Sequence, residues 1–221
     1  AITDIEILEI KRFLQETEQE RQDKVVCYPL LGVQSNFTSD IAHFGFKFVG
    51  LVVLRFMMDD QTSEEILKSS PMYPQDTNYT VVSWDNVYFD KAVEVIHEGF
   101  SKASDALFDT RYKTVEGTSD ILDKIINNVY GEFLPESTSV LLYKGEPCGF
   151  CFTNITAGRI ANIPLVAIAE EHQGKGLAKY LIKKSVETLV EKTHNGEREF
   201  TEVNVSAETN NISALKMYRH I

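Results

Sequence analysis

The sequence predicts an α/β (α+β) chain in which apolar strands alternate with amphipathic helices, and three observations predict it. Runs such as "YTVVSWD", "TSVLLYKGEPCGFCFTNI" and "IPLVAIA" have the length and the β-branched and aromatic content of strands. Between them lie segments with apolar residues at helical spacing and capping residues at their starts. One strand also runs through a glycine-rich turn, "EEHQGKGLAKYLIKK" from Glu170, directly into such a segment.

From the start of the chain, residues 5–24 carry Ile5, Leu8, Ile10 and Leu14 among charges and are expected to be helical. "KVVCYPLLGV" reads as a buried strand, and "SNFTSDIAHF" as a short helix capped by Ser35 or Asn36. "GFKFVGLVVLRFMM" reads as a long apolar strand or a broken pair of strands. "KSSPMYPQDTN" has the prolines and small polar residues of a linker. This places a soft boundary near residue 80, between an N-terminal α/β extension, 1–80, and a main domain, 81–221.

Beyond the boundary, "YTVVSWD" is a strand, and a helix is expected from Asp85 or Asn86 through "ASDALF". "GTSDILDKIINNVYGEF" is a second helix, expected to be capped at Thr118 or Ser119. A hairpin follows, turning at Lys144-Gly145. "GRIANIPLVAIAE" is the next strand, and the helix after its turn extends to about residue 192. "HNGE" turns into the strand "REFTEVNVSAE", and "NISALKMYRH" is a last helix.

Bulk properties exclude several classes of function. A net charge of −11 over 221 residues argues against a non-specific nucleic-acid binder, which needs a basic footprint. It leaves room for a cationic substrate such as an amine. No apolar run reaches the roughly 18 residues of a membrane helix, and the start lacks the pattern of a signal peptide. A cytoplasmic location is therefore expected, away from membranes. Cys148 and Cys151 form a C-x-x-C, which could be a redox pair or half a zinc site. Their strand-like flanks and the lack of a second pair favour buried core cysteines, because a redox pair opens a helix. No metal is expected.

The turn Gln173-Gly174-Lys175-Gly176-Leu177-Ala178 fits Q/R-x-x-G-x-G/A. A helix N-terminus with bare amides is an anion site, and glycines let the backbone approach phosphate oxygens. Lys175 adds a local positive charge whatever the net charge of the chain. The turn lacks the G-x-x-x-x-G-K-S/T of a nucleotidase and the third glycine of G-x-G-x-x-G. By itself it also fits an ordinary strand-to-helix turn. The segment after it places Leu177, Leu181 and Leu189 on one stripe, with Lys179, Lys183 and Glu187 toward the other.

About 30 residues further on, "VNVSAETNNISALKMY" continues as a strand followed by N-x-x-A-x-x-x-Y, formed by Asn211, Ala214 and Tyr218. Strand, glycine turn, helix, strand and Asn-capped helix resemble, in this order, the GCN5-related N-acetyltransferase (GNAT) superfamily. The resemblance covers residues 80–221 and is strongest from Arg159 to Tyr218. It implies a twisted, mixed, largely antiparallel sheet in which "IPLVAIA" splays from "TEVNVSA", with acetyl-CoA as co-substrate in the opening. Pantetheine would then pair with backbone near Ile168 and Ala169. The pyrophosphate would meet the amides of Gln173, Gly174, Lys175, Gly176, Leu177 and Ala178, and Asn211 would help hold the cofactor. Tyr218 matches the tyrosine that often acts as general acid toward the leaving thiolate.

What the resemblance implies is an N-acetyltransferase acting on a primary amine of a small molecule or peptide, by direct attack in a ternary complex. The alternative on the same fold is a non-catalytic acyl-CoA-binding or regulatory module. A homodimer is the assembly to test. For the base, Glu202, or Glu170 relayed through water, is set against the reading of each as a solvated acid. Alternation puts Val203, Val205 and Ala207 on one face and Glu202, Asn204 and Ser206 on the other. His172, His194 and His220 read as surface residues. The family continues after its last helix with Gly-Phe and two strands, whereas this sequence ends at "MYRHI". Residues 25–58, which include Gly45-Phe46, read either as a degenerate half-copy of that unit or as an unrelated extension.

Overall fold

The structure, a computed structural model, describes residues 8, 9, 12, 50–68, 74, 76–103, 106, 109–209 and 211–219. The chain divides into two compact units, Ala1–Gly50 and Leu51–Ile221. In the first, Leu8, Glu9 and Arg12 are helical, inside the helix expected over 5–24. The strand and helix expected at 24–33 and 35–44 lie outside the described residues.

The second unit runs β1 (Leu51–Met57), α1 (Asp60–Lys68), β2 (Tyr79–Ser83), α2 (Phe89–Phe100), α3 (Val115–Ile126), β3 (Glu132–Phe133), β4 (Ser139–Tyr143), β5 (Glu146–Ala157), β6 (Ile160–Ile168), α4 (Leu177–His194), β7 (Glu202–Glu208) and α5 (Ile212–Tyr218). The sheet has the order β1-β7-β6-β5-β4-β2, with β3 beside β5. Among the described residues only β6 and β7 pair in parallel, so the sheet is mixed and largely antiparallel, as expected. Helix α4 packs on β4, β5 and β6, while α2 packs on β5 and β6 and carries α3. Phe150, Phe152, Leu181 and Leu189 are fully buried in the core between these layers.

This unit begins well ahead of the boundary read near residue 80. β1 pairs with β7 along its whole length, from Leu51↔Glu208 to Met57↔Glu202. Three other elements depart from expectation. Helix α1 was not anticipated; Asp59 caps it, accepting from the Thr62 amide at 2.8 Å. The helix expected from Asp85 opens as a 3-10 turn, Asn86–Tyr88, and α2 ends at Phe100, short of "ASDALF". Helix α3 starts earlier than expected, because Thr114 caps it by accepting from the Gly117 amide at 3.0 Å. Thr118 lies in the first turn and returns its hydroxyl to the Thr114 carbonyl at 2.9 Å.

One irregularity shapes the site. Between the pairs Phe152↔Leu165 and Asn154↔Asn162, β5 has a single residue, Thr153, and β6 has two, Ile163 and Pro164. β6 therefore bulges there, and a bulge admits the proline that an unbroken inner strand would reject. The parallel ladder to β7 runs from Ile160↔Glu202 to Ile163↔Val205 and ends at the bulge. β6 and β7 continue to Ile168 and Glu208 as the two arms of a V.

Candidate functional site

The β6 arm of the V presents backbone. The Ala169 amide donates to the Cys148 carbonyl at 2.8 Å. By antiparallel alternation, Ala167 and Ala169 face β5, and the amides of Val166 and Ile168 point into the opening. Ala169 is thus less available than its expected role requires, since its carbonyl also accepts from the His172 amide at 2.9 Å.

Beyond Ile168 the chain makes a 3-10 turn, Glu170–His172, and enters α4 through the glycine turn. Gly174 and Gly176 have φ of +73° and +75°, left-handed values that explain why glycine stands at both positions. Gly176 is the N-cap of α4 and offers no side-chain cap. First-turn amides have no intrahelical acceptor. Among the described residues, the amides of Gly174, Lys175, Gly176, Leu177 and Ala178 meet no protein acceptor. This gives a row of bare donors at the positive end of a helix macrodipole, the arrangement that suits a phosphate group.

Gln173 differs from its neighbours. Its amide donates to the Glu170 carbonyl at 3.2 Å, and its Nε2 donates to the Ile168 carbonyl at 2.9 Å. It closes the turn onto the strand end and is not a bare donor. Lys175 is also engaged: its Nζ donates to the Glu171 carbonyl at 3.1 Å and to Tyr79 Oη at 3.3 Å. His172, expected at the surface, is 9 % exposed, with Nδ1 2.7 Å from Tyr79 Oη. Sequence reasoning missed this contact because its partners lie 93 positions apart and carry no local signal.

On the β7 side, Asn211 caps α5, its Oδ1 accepting from the Ala214 amide at 3.0 Å. Its Nδ2 is left for other partners. Tyr218 ends α5, half-buried against the core. Glu202 is corrected on two counts. It pairs with Ile160 at the closed end of the ladder, away from the opening. It is also 9 % exposed, accepting from Asn204 Nδ2 at 3.1 Å with Arg55 at 3.9 Å, and so is no solvated acid. The carboxylate at the open end is Glu208, which sequence reasoning passed over although it shares Glu202's face. Glu170 and His194 are exposed, as read, and His220 lies outside the described residues.

The two cysteines follow the core reading. Burial pushes the Cys148 thiol up to about 11 and the Cys151 thiol up to about 12. Among the described residues, no group of three or more His, Cys, Asp or Glu could hold a metal, and no helix is long and apolar enough to cross a membrane. A surface depression of about 400 Å³, lined by Trp84, Asp85, Asn86, Ile126, Phe133 and Pro135, is built from the β2–α2 turn and the C-terminal end of α3, apart from the V.

The model of the acetyltransferase (GNAT) family matches residues 106–221, just over half of the chain. The chain belongs to the GNAT acetyltransferase family. Among solved structures, a tandem GNAT protein from the clavulanic acid biosynthesis pathway is similar at a TM-score of 0.50 and 13 % identity, over 95 % of this chain and 64 % of that one. A GCN5-related N-acetyltransferase from Sphaerobacter thermophilus is similar at 0.49 and 17 % identity, over 84 % of this chain and 60 % of that one. Ard1 from Thermoplasma volcanium is similar at 0.47 and 21 % identity, over 65 % and 81 %. The chain thus spans less than two thirds of the length of the first two. None of the curated proteins matches this sequence. In this GNAT chain the ladder between β6 and β7 ends at the bulge at Ile163-Pro164.

Proposed function

We propose that this GNAT chain is an acetyl-CoA-dependent N-acetyltransferase acting on a primary amine of a small molecule or peptide, by direct attack within a ternary complex. One observation carries the reading: the V that opens past Ile163 and Val205 leads to the bare amides at the start of α4. Acetyl-CoA supplies the acetyl group as an activated thioester. Its pyrophosphate fits the amides of Gly174 to Ala178, and its pantetheine fits the inward-facing amides of Val166 and Ile168. Asn211 contributes Nδ2 at the β7 side. A backbone amide of the β6 arm, fixed before the reaction, is suited to hold the developing negative oxygen. Tyr218 donates the proton that the departing sulfur needs. Since a phenol near pKa 10 meets a thiol near 8.5, its placement matters more than its acidity.

The test takes purified protein through calorimetric titration with CoA, then through a panel of amines with acetyl-CoA and detection of released thiol. Binding, with steady CoA release that depends on one class of amine, is the expected result. No CoA binding would overturn the reading. Binding without release across the panel would move the chain to the non-catalytic acyl-CoA-binding module.

A further inference from the structure

We propose that Tyr79 is a positioning residue for the glycine turn, holding it through His172 and Lys175. The inference rests on the cofactor reading above but concerns a side chain on β2, three strands across the sheet from the V.

Tyr79 and His172 are both buried, with Tyr79 Oη and His172 Nδ1 2.7 Å apart. Lys175 Nζ donates to the same Oη at 3.3 Å. A phenol oxygen has one hydrogen to give and two lone pairs to receive. Lys175 uses one of those lone pairs. Oη and His172 Nδ1 share a hydrogen bond whose direction follows the imidazole tautomer, and the other ring nitrogen, Nε2, lies 3.7 Å from Glu171 Oε1. The hydroxyl thus joins two residues of one turn, on either side of Gln173 and Gly174. Tyr143 completes the wall. Its ring centroid lies 4.8 Å from that of Tyr79 and 5.0 Å from that of His172.

A turn with glycines at 174 and 176 has much conformational freedom to lose when it closes on an anion. Ties that restrict it beforehand reduce that cost and so raise affinity without touching the ligand. The N-terminal shoulder of the turn is tied by Gln173 Nε2 to the Ile168 carbonyl. Lys175, in the middle of the bare stretch, is tied by its own bonds to Tyr79 and to the Glu171 carbonyl. Packing alone would be met by phenylalanine at 79; the hydroxyl is what the turn uses.

The test is Tyr79→Phe, which keeps the ring and removes the bonds. Two ligands are titrated by calorimetry: CoA, and S-acetylpantetheine, which lacks the pyrophosphate. CoA affinity is expected to fall about tenfold, the scale of one buried hydrogen bond. S-acetylpantetheine affinity is expected to stay unchanged. Lys175→Met, on the surface, tests the same link without disturbing the core. Combined with Tyr79→Phe, it should lose less than the sum of the two single variants, because coupled residues are not additive. Wild type that fails to bind CoA would overturn the cofactor reading itself. If wild type binds, unchanged CoA affinity in Tyr79→Phe, equal losses for both ligands, or additive losses in the double variant would each overturn the role of Tyr79.

Discussion

Ile163 and Val205 form the last rung between β6 and β7, and Pro164 stands immediately beyond it. That rung separates two regions with different chemistry. Below it, the backbones of the two strands pair with each other; above it, backbone groups on β6 face an opening. A ligand that enters the opening and also meets the start of α4 binds the folded chain only. Saturation with acetyl-CoA at about 100-fold its Kd should therefore stabilise the protein by about 2.7 kcal/mol. For a chain of this size the melting temperature should rise by roughly 5–10 °C. A thermal scan showing no shift would count against the site as a whole.

Gly174→Ala tests the turn. Its φ of +73° is costly for any residue with a Cβ, although open space surrounds the position. The strain is about 1–2 kcal/mol and should lower the melting temperature by a few degrees. CoA affinity should fall by more than tenfold, because the amides lose their arrangement. Valine, bulkier and branched, would add strain that obscures the comparison. A variant that melts lower yet binds CoA with wild-type affinity would make the turn structural only.

Much of this arrangement was legible in the sequence, and the exceptions have physical causes. The strand–glycine turn–helix order is local chemistry, and so is the Asn211 cap. The bulge was hidden because "IANIPLVAIA" shows a proline in a strand but not which neighbour it fails to pair with. Helix α1 was missed because its capping residue, Asp59, follows directly on a long apolar run. Glu202 and Glu208 alternate onto one face, yet only the register of β7 against β6 separates closed end from open end. His172 was misread because its burial depends on Tyr79 and Tyr143, which are distant in sequence.

That register gives a sharp contrast between two acids. Glu202→Gln should leave the turnover and its pH profile unchanged, since the carboxylate sits at the closed end with Asn204 and Arg55. Glu208→Gln, at the open end, is the substitution expected to move the profile. Initial rates from pH 6 to 9 with an identified amine would decide. A Glu202→Gln variant slowed by 100-fold or more would restore it as the base.

The cysteines give a prediction on pH. Both folded thiols titrate well above an unfolded thiol near 8.5, Cys148 at about 11 and Cys151 at about 12, because burial disfavours the thiolate. Unfolding therefore releases protons once the pH exceeds 8.5. The stability tied to these groups is fully present below that pH and is lost as pH rises toward 11–12. With the third cysteine of the sequence, Cys27, replaced by serine, a disulfide reagent at pH 8 should find no reactive thiol in the native protein and two after denaturation. Rapid native labelling would reopen the redox reading of the C-x-x-C.

The last prediction needs a known acceptor and concerns Tyr218. If this phenol protonates the departing sulfur, Tyr218→Phe removes an interaction made mainly in the transition state. Turnover should fall while the Kd for acetyl-CoA stays within about twofold. General acid catalysis is typically worth roughly 100- to 10,000-fold. The low end is expected here for two reasons. Water in an open cleft can deliver the same proton, and a thiolate leaves tolerably without one. Because Tyr218 also packs against the core, loss of the hydroxyl has to be separated from loss of packing. Phenylalanine keeps the ring, so the melting temperature should change little. Full turnover in the variant would return Tyr218 to a packing role, and weakened acetyl-CoA binding at unchanged turnover would make it a cofactor contact.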